Sequence, residues 1–354
     1  MKTFGFPSML FEENEKRDFL PSFFSDIAKF DIKIFLESGY GKKLRLTAED
    51  YLSISPKIEF VSRKQAFASD IVTIIRTPKN NELDFMKKGA TLFSMIHFVT
   101  HKNRCDFLVS KGIKMFAMDS VVDDFGKRMI EYMEGTAKNG IEAAVKLFLK
   151  NNPNKKEINF LILGTGLVGK TAADMAVHST DIPVICKMIG RNATSKLDVL
   201  KNLARNTDIL VDATYRLDTT SYIVPNEIIG YLPEKSVVLD LTADDYDEQT
   251  SPIQVKAIEG IPTGNLDKYV FEPSDEAFET IPKKVVNENR RLTLSCYSWP
   301  AIEPFQCLSV YQKQLLPFIK VLAEHNYQGI SPQNEDFYVR SLGRGSYDSF
   351  INKF

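Results

Sequence analysis

Gly164, Gly166 and Gly169 stand in the run Ile158-Asn159-Phe160-Leu161-Ile162-Leu163-Gly164-Thr165-Gly166-Leu167-Val168-Gly169-Lys170-Thr171. An apolar stretch of strand length leads straight into G-x-G-x-x-G, and the helix formers Ala172-Ala173-Asp174-Met175-Ala176 follow. That context separates a dinucleotide-binding turn from a chance cluster of glycines. The first glycine permits a tight turn, the second lets the backbone approach a pyrophosphate, and the third lets the helix pack close to the strand. A helix N-terminus here offers N–H groups and partial positive charge to phosphates. Gly164, Thr165, Gly166, Leu167, Val168 and Gly169 are therefore candidate cofactor contacts.

The end of the next strand bears on which dinucleotide. Pro183–Ile189 reads as that strand, and Gly190-Arg191-Asn192 ends it. An NAD site usually carries Asp or Glu here, bonded to the ribose 2′-hydroxyl. This chain has Gly190, which leaves room for a 2′-phosphate, and Arg191, which could bind one through a charge-assisted fork. Such a bond is worth about 1.5–3 kcal/mol. Gly190, Arg191 and Asn192 complete the candidate cofactor contacts, and NADP(H) is favoured over NAD(H). The ordinary alternative is a solvated arginine in a loop.

Composition narrows the classes. A chain of 354 residues has length for two domains. Lys plus Arg number 45 and Asp plus Glu 46, so no field favours nucleic acid or an anionic membrane. No apolar run approaches a membrane span, and no signal-type apolar core follows Met1. Cys105, Cys186, Cys296 and Cys307 form no C-x-x-C pair and read as free thiols of a reducing cytoplasm. His97 and His101 have helical i,i+4 spacing, but no Cys or carboxylate accompanies them, so no metal is expected.

The elements that must position these residues alternate. Strand candidates in the first part are Thr3–Phe6, Lys33–Phe35, Ile71–Ile75, Leu92–Ile96 and Lys114–Met118, with helical stretches such as Ser22–Phe30 and Lys102–Ser110 between them. A helical pattern then runs from about Gly126 to Lys150, with Ile130, Met133, Ala137, Ile141, Ala144 and Leu147 on one face. The polar turn Asn151–Lys156 leads into the glycine strand, and Asp208–Ala213, Ser236–Leu241 and Leu292–Ser295 continue the second series. A long helix is expected from Ala301 to about Glu324, crossing back onto the first domain, before a polar, aromatic tail from Ser331 with weak periodicity. The expectation is an α/β protein of two doubly wound, Rossmann-like domains with parallel sheets and an interdomain cleft for ligands. The substrate domain would comprise residues 1–130 plus 300–354, and the dinucleotide-binding domain residues 131–299.

With these elements in place the chain resembles the alanine dehydrogenases and their relatives, which include N5-(carboxyethyl)ornithine synthase and the soluble part of nicotinamide nucleotide transhydrogenase. The resemblance extends to roughly Ile319. Gly5-Phe6-Pro7 looks like the family's opening strand, and Asn14-Glu15-Lys16-Arg17 like its segment carrying a substrate-binding arginine. Arg76-Thr77-Pro78 falls where the family has Lys-x-Pro, with the spacing kept to Lys88-Gly89 and to Ser94-Met95-Ile96-His97. His97 falls on the family's catalytic histidine. Asp240-Leu241-Thr242-Ala243-Asp244 resembles the strand end whose second aspartate faces substrate and nicotinamide. Ser295-Cys296-Tyr297-Ser298-Trp299-Pro300 resembles the segment before the crossing helix, with Ser298 where the family usually has Asn. Arg76 in place of lysine excludes a role that needs a neutral amine. Gly190-Arg191 in place of an acidic residue departs from the NAD-using alanine dehydrogenases and from the transhydrogenase subunit, whereas the synthase, by resemblance, uses NADPH.

The resemblance implies hydride transfer between NADP(H) and a 2-oxo acid/2-amino acid pair. Arg17 and Arg76, with Ser298, would hold the substrate, since guanidinium meets carboxylate bidentately. His97 would exchange the proton, because histidine titrates near neutral pH and can both give and take one. Asp244 would steady the amine or the developing cation. The ordinary readings stand beside these: a histidine after a strand is more often structural, Arg17 lies in the charged segment Glu12–Asp18 that reads as a solvated face, and strand-end aspartates also cap helices. Three functions stay open. They are an amino-acid dehydrogenase using free ammonia, an opine-type synthase joining a 2-oxo acid to the amine of an amino acid, and a non-catalytic NADPH-binding sensor. Partners would be small molecules, and a homo-oligomer is compatible with all three.

Overall fold

The computed structural model describes every residue except Leu217, Ala243, Lys353 and Phe354. Ala243 of the strand-end motif and the last two tail residues thus lie outside the described residues. The chain forms two compact units, one of Met1–Tyr132 with Glu303–Phe354 and the other of Met133–Ile302.

In the first unit, β1 (Lys2–Phe6), β2 (Ile32–Glu37), β3 (Ile58–Val61), β4 (Ile71–Arg76), β5 (Thr91–Met95) and β6 (Lys114–Ala117) make a parallel sheet in the order β3-β2-β1-β4-β5-β6. The strands read as near-continuous apolar runs, as expected when helices cover both faces. The chain winds one way from β1 and the other way from β4, so the switch point lies between these two strands, where open α/β sheets bind ligands. The helix Pro304–Glu324 returns here with proline in its first turn, and Leu308 and Leu315 bury in the same core as Phe4 and Phe24.

The second unit repeats the plan. Its strands are β7 (Ile158–Leu163), β8 (Val184–Ile189), β9 (Ile209–Asp212), β10 (Val237–Asp240), β11 (Val270–Phe271) and β12 (Leu292–Ser295), in the order β11-β12-β10-β9-β7-β8 with β11 antiparallel. The switch point falls between β7 and β9. Both sheets are parallel-dominated and helix-covered, which makes the fold a two-domain, Rossmann-like α/β architecture.

Three local expectations need correction. The helix expected from Gly126 begins at Met133 and runs to Asn151. The residues before it turn back instead: Gly126 has φ +78°, Val122 bridges Arg128, and Asp123 Oδ1 accepts the N–H groups of Phe125 and Lys127, both at 2.9 Å. An aspartate-anchored turn outcompetes helix there, and Ile130 owes its apolar character to the first unit's core. The four-residue edge strand β3 leaves no strand-length apolar run in the sequence, because one of its side chains is exposed and another half-exposed. The tail from Ser331 holds two helices, Phe337–Arg344 and Tyr347–Ile351, capped by Asp336 and Ser346. No helix among the described residues is long and apolar enough to cross a membrane.

Candidate functional site

The glycine turn follows β7 at the second unit's switch point. Gly164 has φ +107°, and a Cβ on it would lie 2.4 Å from the Ala213 carbonyl oxygen at the end of β9. A Cβ on Gly169 would lie 2.1 Å from the Gly164 carbonyl oxygen, so this glycine sets how closely the helix Leu167–His178 meets the strand. Gly166 differs: no protein atom lies within 4 Å of the Cβ position, so the chain itself does not demand glycine there. The open space lies where a phosphate would approach, and no side chain caps the helix beginning at Leu167. The turn therefore fits a dinucleotide pyrophosphate.

Gly190 ends β8 in extended conformation and precedes the short helix Arg191–Thr194. A Cβ there would meet Thr165 at an ordinary 3.6 Å. Arg191 is exposed, while Asn192 opens the same turn and is also exposed.

Beside the glycine turn, the ends of β9 and β10 carry a buried charged cluster. Asp240 faces Asp212 across the ladder. Asp240 Oδ1 accepts the N–H and hydroxyl of Thr242 at 2.9 and 2.8 Å, and Oδ2 accepts Ser295 Oγ at 2.9 Å. Lys256 Nζ completes the set at 2.8 Å and also donates to the Asp244 carbonyl at 2.7 Å. Burial, followed by the neighbouring Asp240 charge, pushes the Asp212 carboxyl up to about 7. The Asp244 carboxylate is gripped by Arg216 through Nε at 3.2 Å and Nη2 at 2.6 Å, and Arg216 is itself tied to the carbonyls of Val255 and Ser221. Sequence reading singled out Asp240 and Asp244 and missed Lys256, Arg216 and Asp212. The lysine left a signal, being the one cation in the apolar stretch Ile253–Ile258. Ser298 is buried; its N–H donates to Cys296 Sγ at 3.4 Å and its carbonyl accepts from Ala301.

In the first unit, Arg17 and Arg76 come together at the switch point. The segment Glu12–Asp18 is not a solvated face: Glu12, Glu15, Arg17 and Asp18 are all buried. Arg17 makes a two-pronged pair with Glu15, Nε–Oε1 at 2.7 Å and Nη2–Oε2 at 3.0 Å. Burial alone would raise the Glu15 carboxyl, but Arg17, Arg76 and Lys43 outweigh it and hold it below its ordinary value. Arg76, at the end of β4, pairs with Glu12, lies 4.0 Å from Glu15 Oε2, and stacks over the Phe11 ring at 4.2 Å. Each arginine thus has a glutamate partner that the sequence reading did not assign.

His97 follows β5 with its backbone at φ +55°, a left-handed conformation that costs a residue other than glycine roughly 1–3 kcal/mol and collects at functional sites. Asp119, just past β6, holds it there: Oδ1 accepts the His97 N–H at 3.1 Å, and Oδ2 lies 3.6 Å from Nδ1. The imidazole stays partly open to solvent, with 39% of its side chain exposed. His101 packs edge-on against it at 6.2 Å between ring centres. Burial first, then the charges of Arg104 and His97, push His101 down to about 3, which keeps it neutral near pH 7 and unsuited to give a proton. The Arg76 charge also acts on His101, so Arg76 and the histidine pair share one end of the sheet. Among the described residues no cluster of His, Cys, Asp or Glu is arranged to hold a metal ion.

Comparison with known proteins agrees with this layout. Residues 12–137 match the family model "Alanine dehydrogenase/PNT, N-terminal domain". The alanine dehydrogenase of Methanococcus maripaludis is 20% identical over 239 residues, 60% of this chain and 64% of that protein, so the match spans just under two thirds of that relative. The alanine dehydrogenase of Bacillus subtilis is 22% identical over 262 residues, 66% of this chain and 68% of that protein. Among solved structures, an L-alanine dehydrogenase superposes with a TM-score of 0.72 at 18% identity, covering 97% of this chain and 94% of that one. A transhydrogenase from Sinorhizobium meliloti superposes with a TM-score of 0.63 at 15% identity, covering 91% and 94%. Domain model, curated relatives and fold converge: residues 12–137 match the alanine dehydrogenase/PNT N-terminal domain, and the chain shares the fold of an alanine dehydrogenase and a transhydrogenase.

Proposed function

We propose that this protein is an NADP(H)-dependent oxidoreductase that interconverts a 2-oxo acid and a 2-amino acid by the alanine dehydrogenase type of chemistry. The observation that carries the reading is His97, an accessible imidazole held in left-handed conformation by Asp119 within the family's N-terminal domain. Bound NADP(H) would supply the hydride. Gly164, Thr165, Gly166, Leu167, Val168 and Gly169 would hold its pyrophosphate, with Gly190, Arg191 and Asn192 at the adenosine ribose. Room at Gly190 and the exposed guanidinium of Arg191 support NADP(H) over NAD(H).

The chain's own residues would then do the rest. Arg76, seconded by Arg17, would take the substrate carboxylate, with Glu15 keeping the Arg17 fork aimed. His97 would pass a proton to the oxygen that leaves as water and recover one in the reverse direction. Asp244, steadied by Arg216, would face the amine, and Ser298 would support the substrate.

A screen of 2-oxo acids with NADPH, with and without ammonia or a second amino acid, tests the reading. Turnover with ammonia supports the dehydrogenase, and turnover only with the second amino acid supports the synthase. NADPH binding without turnover supports the sensor. On a substrate so found, His97→Ala should lower kcat by about 10²–10⁴-fold, the usual worth of a positioned acid–base group, and leave NADPH affinity unchanged. Near wild-type kcat would refute the role given to His97.

A further inference from the structure

Past the helix Pro304–Glu324, the tail lands on the segments that hold His97. Three sets of contacts bring it there. The Ala117 N–H donates to the Gly345 carbonyl at 2.8 Å and Ser346 bridges Phe116, which stitches the tail to β6, the strand leading to Asp119. Just beyond Asp119, Asp124 is gripped from both sides, by Arg340 at 2.8 and 2.6 Å and by Arg344 at 2.6 Å. Phe98, next to His97 in the chain, is buried against the rings of Tyr347 and Phe350, each 5.2 Å away between centres.

These contacts bear on a conformation that needs support. The left-handed backbone of His97 persists only where its surroundings over-determine it. Its N–H is held by Asp119, and its carbonyl accepts the N–H groups of Thr100 and His101, both at 3.1 Å. Displacing Phe98 would break its contacts with Tyr347 and Phe350, and Asp119 lies two residues past Ala117, which the tail holds. Both members of the His97–Asp119 pair are thus backed by the tail.

We propose that the C-terminal segment 331–352 is a clamp that positions the His97–Asp119 pair, with Tyr347 and Phe350 as positioning residues. The proposal rests on reading His97 as the acid–base group, so its test reads the imidazole directly as well as turnover. The full chain is labelled with 13C-histidine, and the His97 ring signal is assigned as the one lost in His97→Gln. In Tyr347→Leu/Phe350→Leu the His97 signal should move or split, while that of His178, in the other unit, stays in place. Tyr347→Phe, which keeps the ring, should restore the wild-type spectrum. With an identified oxo acid, kcat should fall by up to about 10²-fold, the effect of small misplacement, with NADPH affinity unchanged. Should the leucine pair unfold the protein, Arg340→Gln/Arg344→Gln is read by the same signals. A folded variant whose His97 signal matches wild type overturns the clamp. If His97→Gln keeps full turnover while tail variants still move the His97 signal, the acid–base reading fails and the clamp stands.

Discussion

Lys256→Met should be among the most damaging single substitutions in the second unit. The ammonium is 2% exposed and its partner Asp240 carboxylate 1%. The substitution deletes the 2.8 Å contact to Asp240 and the 2.7 Å bond to the Asp244 carbonyl. The Asp240 carboxylate then remains buried, without a counter-charge and next to Asp212. Breaking a buried pair from one side costs about 3–5 kcal/mol, mostly the penalty of the charge left behind. Removing both charges should cost much less, so Asp240→Asn/Lys256→Met should recover at least about half of that loss. Lys29→Met, which breaks an exposed pair with Asp26, should stay within about 0.5 kcal/mol. The chain carries its own reporter, since Trp299 is the one tryptophan, is buried, and donates its indole N–H to the Asp240 carbonyl at 2.8 Å. Urea unfolding followed by tryptophan fluorescence therefore reports on the second unit, where Trp299 lies. A loss under about 1 kcal/mol for Lys256→Met, or a double variant as unstable as the two single losses added together, would refute the reasoning.

Two further outcomes follow from the same geometry. NADPH should bind better than NADH, Arg191→Ala should cost about tenfold to a hundredfold in NADPH affinity alone, and Gly190→Asp, which the space at Thr165 admits, should shift preference toward NADH. Cofactor fluorescence titration measures this, and NADH binding as well as NADPH in the wild type would sink the assignment. Asp212, raised to about 7 in the fold, keeps a proton that the unfolded chain releases near its ordinary value, so its contribution to stability is present at low pH and lost as pH rises toward 7. Asp212→Asn should flatten that slope between about pH 4 and 7 in thermal melts, and an unchanged slope would contradict the shift.

Local order was enough for part of this protein. The run Ile158–Leu163 meeting three spaced glycines specifies strand, turn and helix within one stretch of chain, because backbone sterics and helix packing act between neighbours. The alternation of apolar strands with helices likewise announced two parallel sheets, although the weakly apolar β3 and the turn at Gly126 did not follow the pattern. The charged side chains were another matter. Glu12, Glu15 and Arg17 stand in a charged run whose ordinary reading from sequence is a solvated face, and only the meeting of the β1 and β4 loops turned them into buried ion pairs that include Arg76. Lys256 became the counter-ion of Asp240, and the tail's aromatics became the support of Phe98, through contacts between segments far apart in the chain. Burial and charge pairing depend on which distant segments are brought together, and short-range spacing carries no record of that. The sequence by itself therefore determined the type of fold and a strand–glycine turn–helix of the kind that fits a dinucleotide, while tertiary packing alone decided which charges are neutralised and what holds His97.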